Sequence, residues 1–216
     1  MPCSCTDIRG AAERQFSEKR ATKDLAHYRT KGPGSTTRLL LAGLATTGPI
    51  HGRLLDIGSG VGVLSFELLD QGLTSALGVD LSSAHVAIAS REASRRGRSD
   101  STRFVHGDFL DLSAQLSSAD IVTLDRVVCC YPEYERFLEA SLRHAGRIFA
   151  LSYPLDVWYV RLWVSLQNVA RAIVRNAFRS FIHPVSAMES VIRREGFTLL
   201  DRRSAGTWRA DVYERR

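Results

Sequence analysis

Asp56-Ile57-Gly58-Ser59-Gly60-Val61-Gly62 is the stretch of this sequence best suited to chemistry. Three glycines at alternate positions after an apolar run let a ligand approach the backbone, where side chains would block it. The acid before them narrows the ligand. A carboxylate at position 56 repels a pyrophosphate and attracts an ammonium group. The dinucleotide pattern G-x-G-x-x-G also needs Gly or Ala at 63, where Val63 stands. Two further acids follow at regular spacing. Asp80, in Gly78-Val79-Asp80-Leu81-Ser82, can accept both hydroxyls of a ribose. Asp108, in Gly107-Asp108-Phe109, can accept from the exocyclic amine of an adenine whose ring Phe109 covers. The bland alternative is that these acids only cap helices and turns.

Positioning three acids in one crevice requires them to end successive parallel strands. The pattern predicts strands over 53–57, 74–80, 102–106, 119–124 and 147–153, with helices over 61–71, 83–96 and 133–143. Strand alternating with helix at this spacing implies right-handed crossovers and an α/β, doubly wound, parallel sheet. In such a sheet ligands bind at the carboxyl ends of the strands. The first 47 residues read as helical, interrupted at Thr30-Lys31-Gly32-Pro33-Gly34 and resumed after Ser35-Thr36-Thr37. Beyond 154 the alternation stops. A long helix over 157–175 leads through His183-Pro184 to a helix over 186–195, then a hairpin of strands 197–204 and 208–213 around Gly206. That hairpin places an antiparallel edge on the sheet. No repeat or linker divides the chain, which reads as a helical segment, 1–47, and a ligand-binding segment, 48–216, in one unit.

Composition excludes several classes. The 216 residues are 44% hydrophobic and 24% charged, the balance of a globular protein rather than a disordered one. Lys+Arg 29 against Asp+Glu 23 gives a net charge of +6, supplied almost wholly by arginine, since Lys19, Lys23 and Lys31 are the lysines. Dispersed arginines are more often a solvated surface than a nucleic-acid groove. The cysteines stand as two close pairs, Cys3/Cys5 and Cys129/Cys130, which is neither a secreted disulfide framework nor zinc spacing. No signal peptide or membrane span is visible, so a cytoplasmic protein without a metal is expected.

The ordered set Asp56 to Gly62, Gly78 to Ser82, Gly107 to Phe109 and Asp120-Ile121-Val122-Thr123-Leu124-Asp125 resembles the class I S-adenosylmethionine-dependent methyltransferases. The resemblance runs from about Arg53 to the C-terminus. It implies a Rossmann-like, mostly parallel seven-stranded sheet with an antiparallel C-terminal hairpin strand and an N-terminal helical lid. It implies S-adenosyl-L-methionine as cofactor, bound by Asp56, Gly58, Ser59, Gly60, Gly62, Asp80, Leu81, Asp108, Phe109 and Asp125. Within that class the chain is similar to the magnesium-protoporphyrin O-methyltransferases through Asp125-Arg126-Val127-Val128-Cys129-Cys130-Tyr131-Pro132, Ser152-Tyr153-Pro154, Phe181-Ile182-His183, Glu195-Gly196-Phe197 and Asp24-Leu25-Ala26-His27-Tyr28. Cys130 stands where those enzymes carry a histidine before Tyr-Pro. The pattern therefore points to the enzyme class more than to the porphyrin.

The expected reaction is direct in-line methyl transfer to a small-molecule acceptor, an oxygen of a carboxylate or hydroxyl, with Tyr28, Arg126 and His183 as catalytic candidates. Arg126 follows a strand tip and suits an anionic group; His183 is a base or an ordinary loop histidine; Tyr28 covers the site or staples the lid. Arg161, Arg171, Arg175 and Arg179 face an anionic acceptor or, as is commoner for charged residues, form a solvated helix face. Trp158, Tyr159 and Trp163 lie on the segment where, by the resemblance, an acceptor pocket is built, or are core, the commoner role of such aromatics. Peripheral membrane contact and oligomeric state stay open. Two other readings compete. An RNA methyltransferase would use the basic charge, although Asp125-Arg126-Val127-Val128 replaces the Asn/Asp-Pro-Pro-aromatic motif of amine methylation. A non-catalytic S-adenosylmethionine-binding protein would retain the cofactor residues alone.

Overall fold

The computed structural model describes residues 5–216, with side chains from residue 10 onward. The Cys3/Cys5 pair lies outside the described side chains. Three helices come first, α1 (Cys5–Gln15), α2 (Glu18–Lys31) and α3 (Ser35–Leu44). The alternating region follows as β1 (Arg53–Ile57), α4 (Val63–Asp70), β2 (Ser75–Asp80), α5 (Ser83–Arg95), β3 (Thr102–His106), the short α6 (Phe109–Leu112), β4 (Ala119–Asp125), α7 (Tyr134–His144) and β5 (Ala145–Pro154). The chain ends with α8 (Trp158–Ile173), α9 (Val185–Arg194), β6 (Phe197–Ala205) and β7 (Trp208–Arg215). A 3-10 turn at Val128–Cys130 breaks the segment after β4.

The seven strands form one sheet in the order β3-β2-β1-β4-β5-β7-β6. β1 to β5 are parallel; β7 runs antiparallel between β5 and β6. Strand order reverses between β1 and β4, which pair through Asp56 opposite Thr123. That reversal opens a crevice at the carboxyl ends of the two strands.

The side-chain period of two explains both cores. Leu55, Val122, Phe149 and Tyr213 face one layer, with Phe137 and Leu138 of α7 and Val191 and Ile192 of α9. Their neighbours Leu54, Ile121, Ile148 and Val212 face the other, with Leu40 and Leu44 of α3 and Leu64 and Leu68 of α4. Central strands buried on both faces read as near-continuous apolar runs.

α3 was grouped by the sequence with a lid over residues 1–47, but Leu40 and Leu44 are fully buried against the sheet. Among the three N-terminal helices, α3 belongs to that layer and α1 and α2 lie outside it. α2 is docked rather than loose. Arg29 reaches the buried carboxylate of Glu92 on α5, which also receives Arg95 and Arg96. Those three guanidiniums, Arg95 foremost, hold the Glu92 carboxyl far below the usual range.

Candidate functional site

A cavity of about 720 Å³ occupies the crevice at the reversal point. Small-molecule sites span roughly 300–1,000 Å³. Its floor is the turn after β1. Gly58 N and Ser59 N both donate to Val79 O, at 2.7 and 3.2 Å, which ties the turn to β2. At Gly60 the backbone has φ +54, and a Cβ built there meets only His85 Cδ2 at 3.8 Å. Side-chain space at position 60 is therefore cavity space. Ser59 Oγ is buried beside it with no hydrogen-bond partner among the described residues.

The acids stand around this floor. Asp80 accepts from Gly60 N and Ser82 N, both at 2.8 Å, one bond on each carboxylate oxygen. Burial raises its carboxyl above the ordinary value, against the pull of the Ser82 hydrogen bond. Asp125 accepts from Thr37 and Ser152 hydroxyls, each at 2.6 Å. Asp56 is 1% exposed and accepts from Thr123 Oγ1 at 2.7 Å and Ser65 Oγ at 3.3 Å. Desolvation pushes its carboxyl up to about 7; the Thr123 hydrogen bond opposes this, and nearby Asp125 adds to it.

A measurable pH dependence results. Between the unfolded value near 4 and the folded value near 7, the folded protein holds a proton on Asp56 that the unfolded chain has released. Stability then falls as pH rises across that window. The thermal midpoint of the cofactor-free protein is expected to drop between pH 5 and pH 8, and Asp56→Asn should flatten that part of the slope. An unchanged slope in the variant would assign the proton to another group.

Asp56, Gly58, Ser59, Gly60, Asp80, Leu81, Phe109, Asp125, Tyr28 and Arg126 all line the cavity. Gly62, Asp108 and His183 do not. Gly62 is packed beneath Phe104 and Phe66, where a Cβ would come within 2.7 Å of the Phe104 ring. The Asp108 carboxylate accepts from Leu110 N at 3.0 Å and from Tyr131 Oη at 3.1 Å, while its neighbours Gly107 and Phe109 reach the wall.

Two of the catalytic candidates are engaged by neighbouring groups. His183 is buried behind the Val128–Cys130 turn, with Nε2 3.2 Å from Val128 O and its ring 4.4 Å from Tyr134. Desolvation lowers its pKa, so it is a neutral prop of that turn rather than a base at the cavity. Tyr28 does face the cavity, but its hydroxyl donates to Glu67 Oε1 at 2.7 Å and Arg96 lies 4.9 Å over its ring. Burial, with the Glu67 carboxylate beside it, raises the phenol well above its ordinary value. Its hydroxyl anchors α2.

Arg126 stands apart from the rest. It is one of two non-glycine residues with positive φ among the described residues, at 61°. Its N–H donates to Ser152 Oγ at 2.9 Å, and its carbonyl receives the Cys129 and Cys130 thiols at 3.5 and 3.7 Å. A backbone held in that region needs support from several sides, and the side chain it carries lines the cavity with Nε 4.0 Å from Asp125 Oδ1.

The cavity lining also includes residues that the sequence reading favoured as a solvated face or did not single out. Arg171 and Gln167 of α8 line the cavity with Ser180 and Phe178. Arg171 donates to Asn168 Oδ1 and Ser180 Oγ at 3.0 and 3.1 Å and lies 5.3 Å over the Phe178 ring. Positions 160, 164, 167 and 171 share one side of α8, less apolar than the opposite side. The α1–α2 junction closes the far side. Ser82 Oγ donates to Phe16 O at 2.7 Å, and the Phe16 ring meets His85 and Phe178 edge-on.

Sheet order and glycine turn are those of the Rossmann-like methyltransferase fold. Residues 54–146 match the family described as "Methyltransferase domain". Among solved structures the chain is similar to magnesium protoporphyrin IX methyltransferase from Synechocystis PCC 6803. With S-adenosylhomocysteine bound, that structure gives a TM-score of 0.72 at 17% identity, over 97% of this chain and 100% of that one. With S-adenosylmethionine bound, it gives 0.72 at 16% identity over both whole chains. The PH0226 protein from Pyrococcus horikoshii OT3 gives 0.66 at 18% identity, over 88% and 94%. No curated protein matches the sequence. Among the described residues no group of His, Cys, Asp and Glu could hold a metal, and no helix is long and apolar enough to cross a membrane.

Proposed function

We propose that the cavity methylates a carboxylate oxygen of a small anionic molecule. The observation that carries this reading is the pair Arg126 and Arg171, brought to the lining of one cavity from two distant parts of the chain. Guanidiniums bind carboxylates in a planar fork. A carboxylate acceptor is already ionised near neutral pH, so no base is needed to expose its lone pair, in keeping with His183 being engaged elsewhere.

The cofactor fits the residues present: open space at Gly60, an unpartnered Ser59 Oγ and a spare lone pair on each Asp80 oxygen. When bound, S-adenosylmethionine supplies an electrophilic methyl whose bonding pair leaves with sulfur as a neutral thioether. Asp80 would take the ribose hydroxyls and Phe109 and Leu81 the adenine, with Asp108 acting through the Gly107–Phe109 turn. Asp56 and Asp125 would place negative charge toward the ammonium end. The work left to the chain is alignment and exclusion of water. Arg126 and Arg171 orient the acceptor, and the docked α1–α2 segment roofs the site.

The test is turnover with methyl-labelled S-adenosylmethionine and a pool of metabolite carboxylic acids. A methyl ester releases volatile labelled methanol in alkali, whereas an ether or amine does not. Arg126→Gln and Arg171→Gln should each raise KM about 10–100-fold, the loss of one charge-assisted contact, with cofactor affinity unchanged. An alkali-stable product, or parental KM in both variants, would refute the carboxylate reading; salt-sensitive methylation of RNA would replace it.

A further inference from the structure

Helix α8 carries its apolar residues on the outside. Trp158 and Ile173 are 76% and 77% exposed, and Leu162, Trp163, Leu166 and Val169 are each more than half exposed, with Tyr159 and Val174 beside them. Positions 158, 162, 166, 169 and 173 form a single stripe, and all eight fall within about 160° of the helix circumference. Val160 is the one buried residue of this helix. A continuous exposed apolar face of this kind marks a binding surface.

Charge indicates what covers it. From 157 to 188 the chain carries Arg161, Arg171, Arg175 and Arg179 and no carboxylate, within a protein of net charge +6. Arg161 flanks the stripe and is 56% exposed, paired to Asp156 at the helix start. Arg175 ends the helix in the left-handed region, exposed. Trp158, Tyr159 and Trp163 have rings whose apolar bodies and polar edges suit the headgroup level of a bilayer. A second copy of this chain on the same face would set Arg161 and Arg175 against their own like, with Asp156, already paired to Arg161, the one carboxylate at that end of the helix.

We propose that α8 is an interfacial helix that docks the protein on an anionic lipid bilayer, with Trp158, Trp163, Leu166 and their stripe inserted and the flanking arginines at the headgroups. The inner side of the same helix supplies Gln167 and Arg171 to the cavity wall. Docking therefore holds the cavity at the lipid surface whatever acceptor it takes.

The full chain is tested by flotation with vesicles of phosphatidylcholine alone or mixed with phosphatidylglycerol. The expected result is flotation with the anionic vesicles only, weakened by high salt, with a blue shift of tryptophan emission. The variant Trp158→Ser/Trp163→Ser/Leu166→Ser should lose vesicle affinity by roughly a hundredfold, while its circular dichroism and S-adenosylmethionine titration match the parent. Arg161→Gln/Arg175→Gln should weaken only the anionic preference. Failure of the parent to float, or equal flotation by the triple variant, would overturn the proposal. So would a dimer in sedimentation velocity that the triple variant disperses, without vesicle binding.

Discussion

Gly60→Ala is expected to weaken S-adenosylmethionine binding by about 5–150-fold while leaving a folded protein. The two effects separate because of where the added methyl goes. At position 60 it meets no protein atom closer than His85 Cδ2 at 3.8 Å, so it projects into the cavity. Overpacking a closely fitted site by one methyl costs about 1–3 kcal/mol, and that loss falls on the ligand. The fold itself bears only the left-handed backbone, about 1–2 kcal/mol for a residue with a Cβ, or roughly 2–8 °C in Tm for a chain of this size. Gly58→Ala is the control. Its Cβ would lie 2.2 Å from Val127 Cγ2, so the turn must move and the fold suffers first. Calorimetric titration beside thermal unfolding distinguishes them. If Gly60→Ala titrates like the parent, the cofactor does not cross this turn.

The second large effect is at Asp80. Asp80→Asn should reduce cofactor affinity by about 1–3 kcal/mol, roughly 5–150-fold. Its two oxygens each accept one backbone N–H, from Gly60 and Ser82, and each has a lone pair left for a ribose hydroxyl. Asn keeps one acceptor and turns an N–H toward the other donor, so both the turn and the ligand lose a charge-assisted partner. Asp80→Ala goes further, leaving two backbone donors without an acceptor at about 1–3 kcal/mol each. Its loss should therefore appear in Tm as well as in affinity. A folded Asp80→Asn protein with parental affinity would move the ribose elsewhere.

The sequence alone determined the sheet and the floor of the site. Apolar runs between glycine turns specify buried parallel strands, and the reversal crevice follows from chain order, so Asp56, Gly60, Asp80 and Asp125 fell where spacing put them. These features are local, and local chemistry suffices to read them. Boundaries moved by a residue or two; α4 begins at Val63 rather than 61 because the glycine turn runs through residue 62 in left-handed backbone.

The tertiary structure alone decided which faces of the helices look inward. α3 reads as part of a lid, yet the sheet needs its Leu40 and Leu44. His183 follows a loop as a base might, but packing against Tyr134 draws it behind a turn. α8 is the plainest case. Its pattern contains two stripes, and the rule that the more apolar one is buried would place Trp158, Leu162 and Leu166 in the core and Arg171 in water. The fold does the reverse, because the site at the end of the sheet demands a polar wall and takes it from Gln167 and Arg171. Periodicity defines the two faces of a helix; only the partners it meets determine which face is covered.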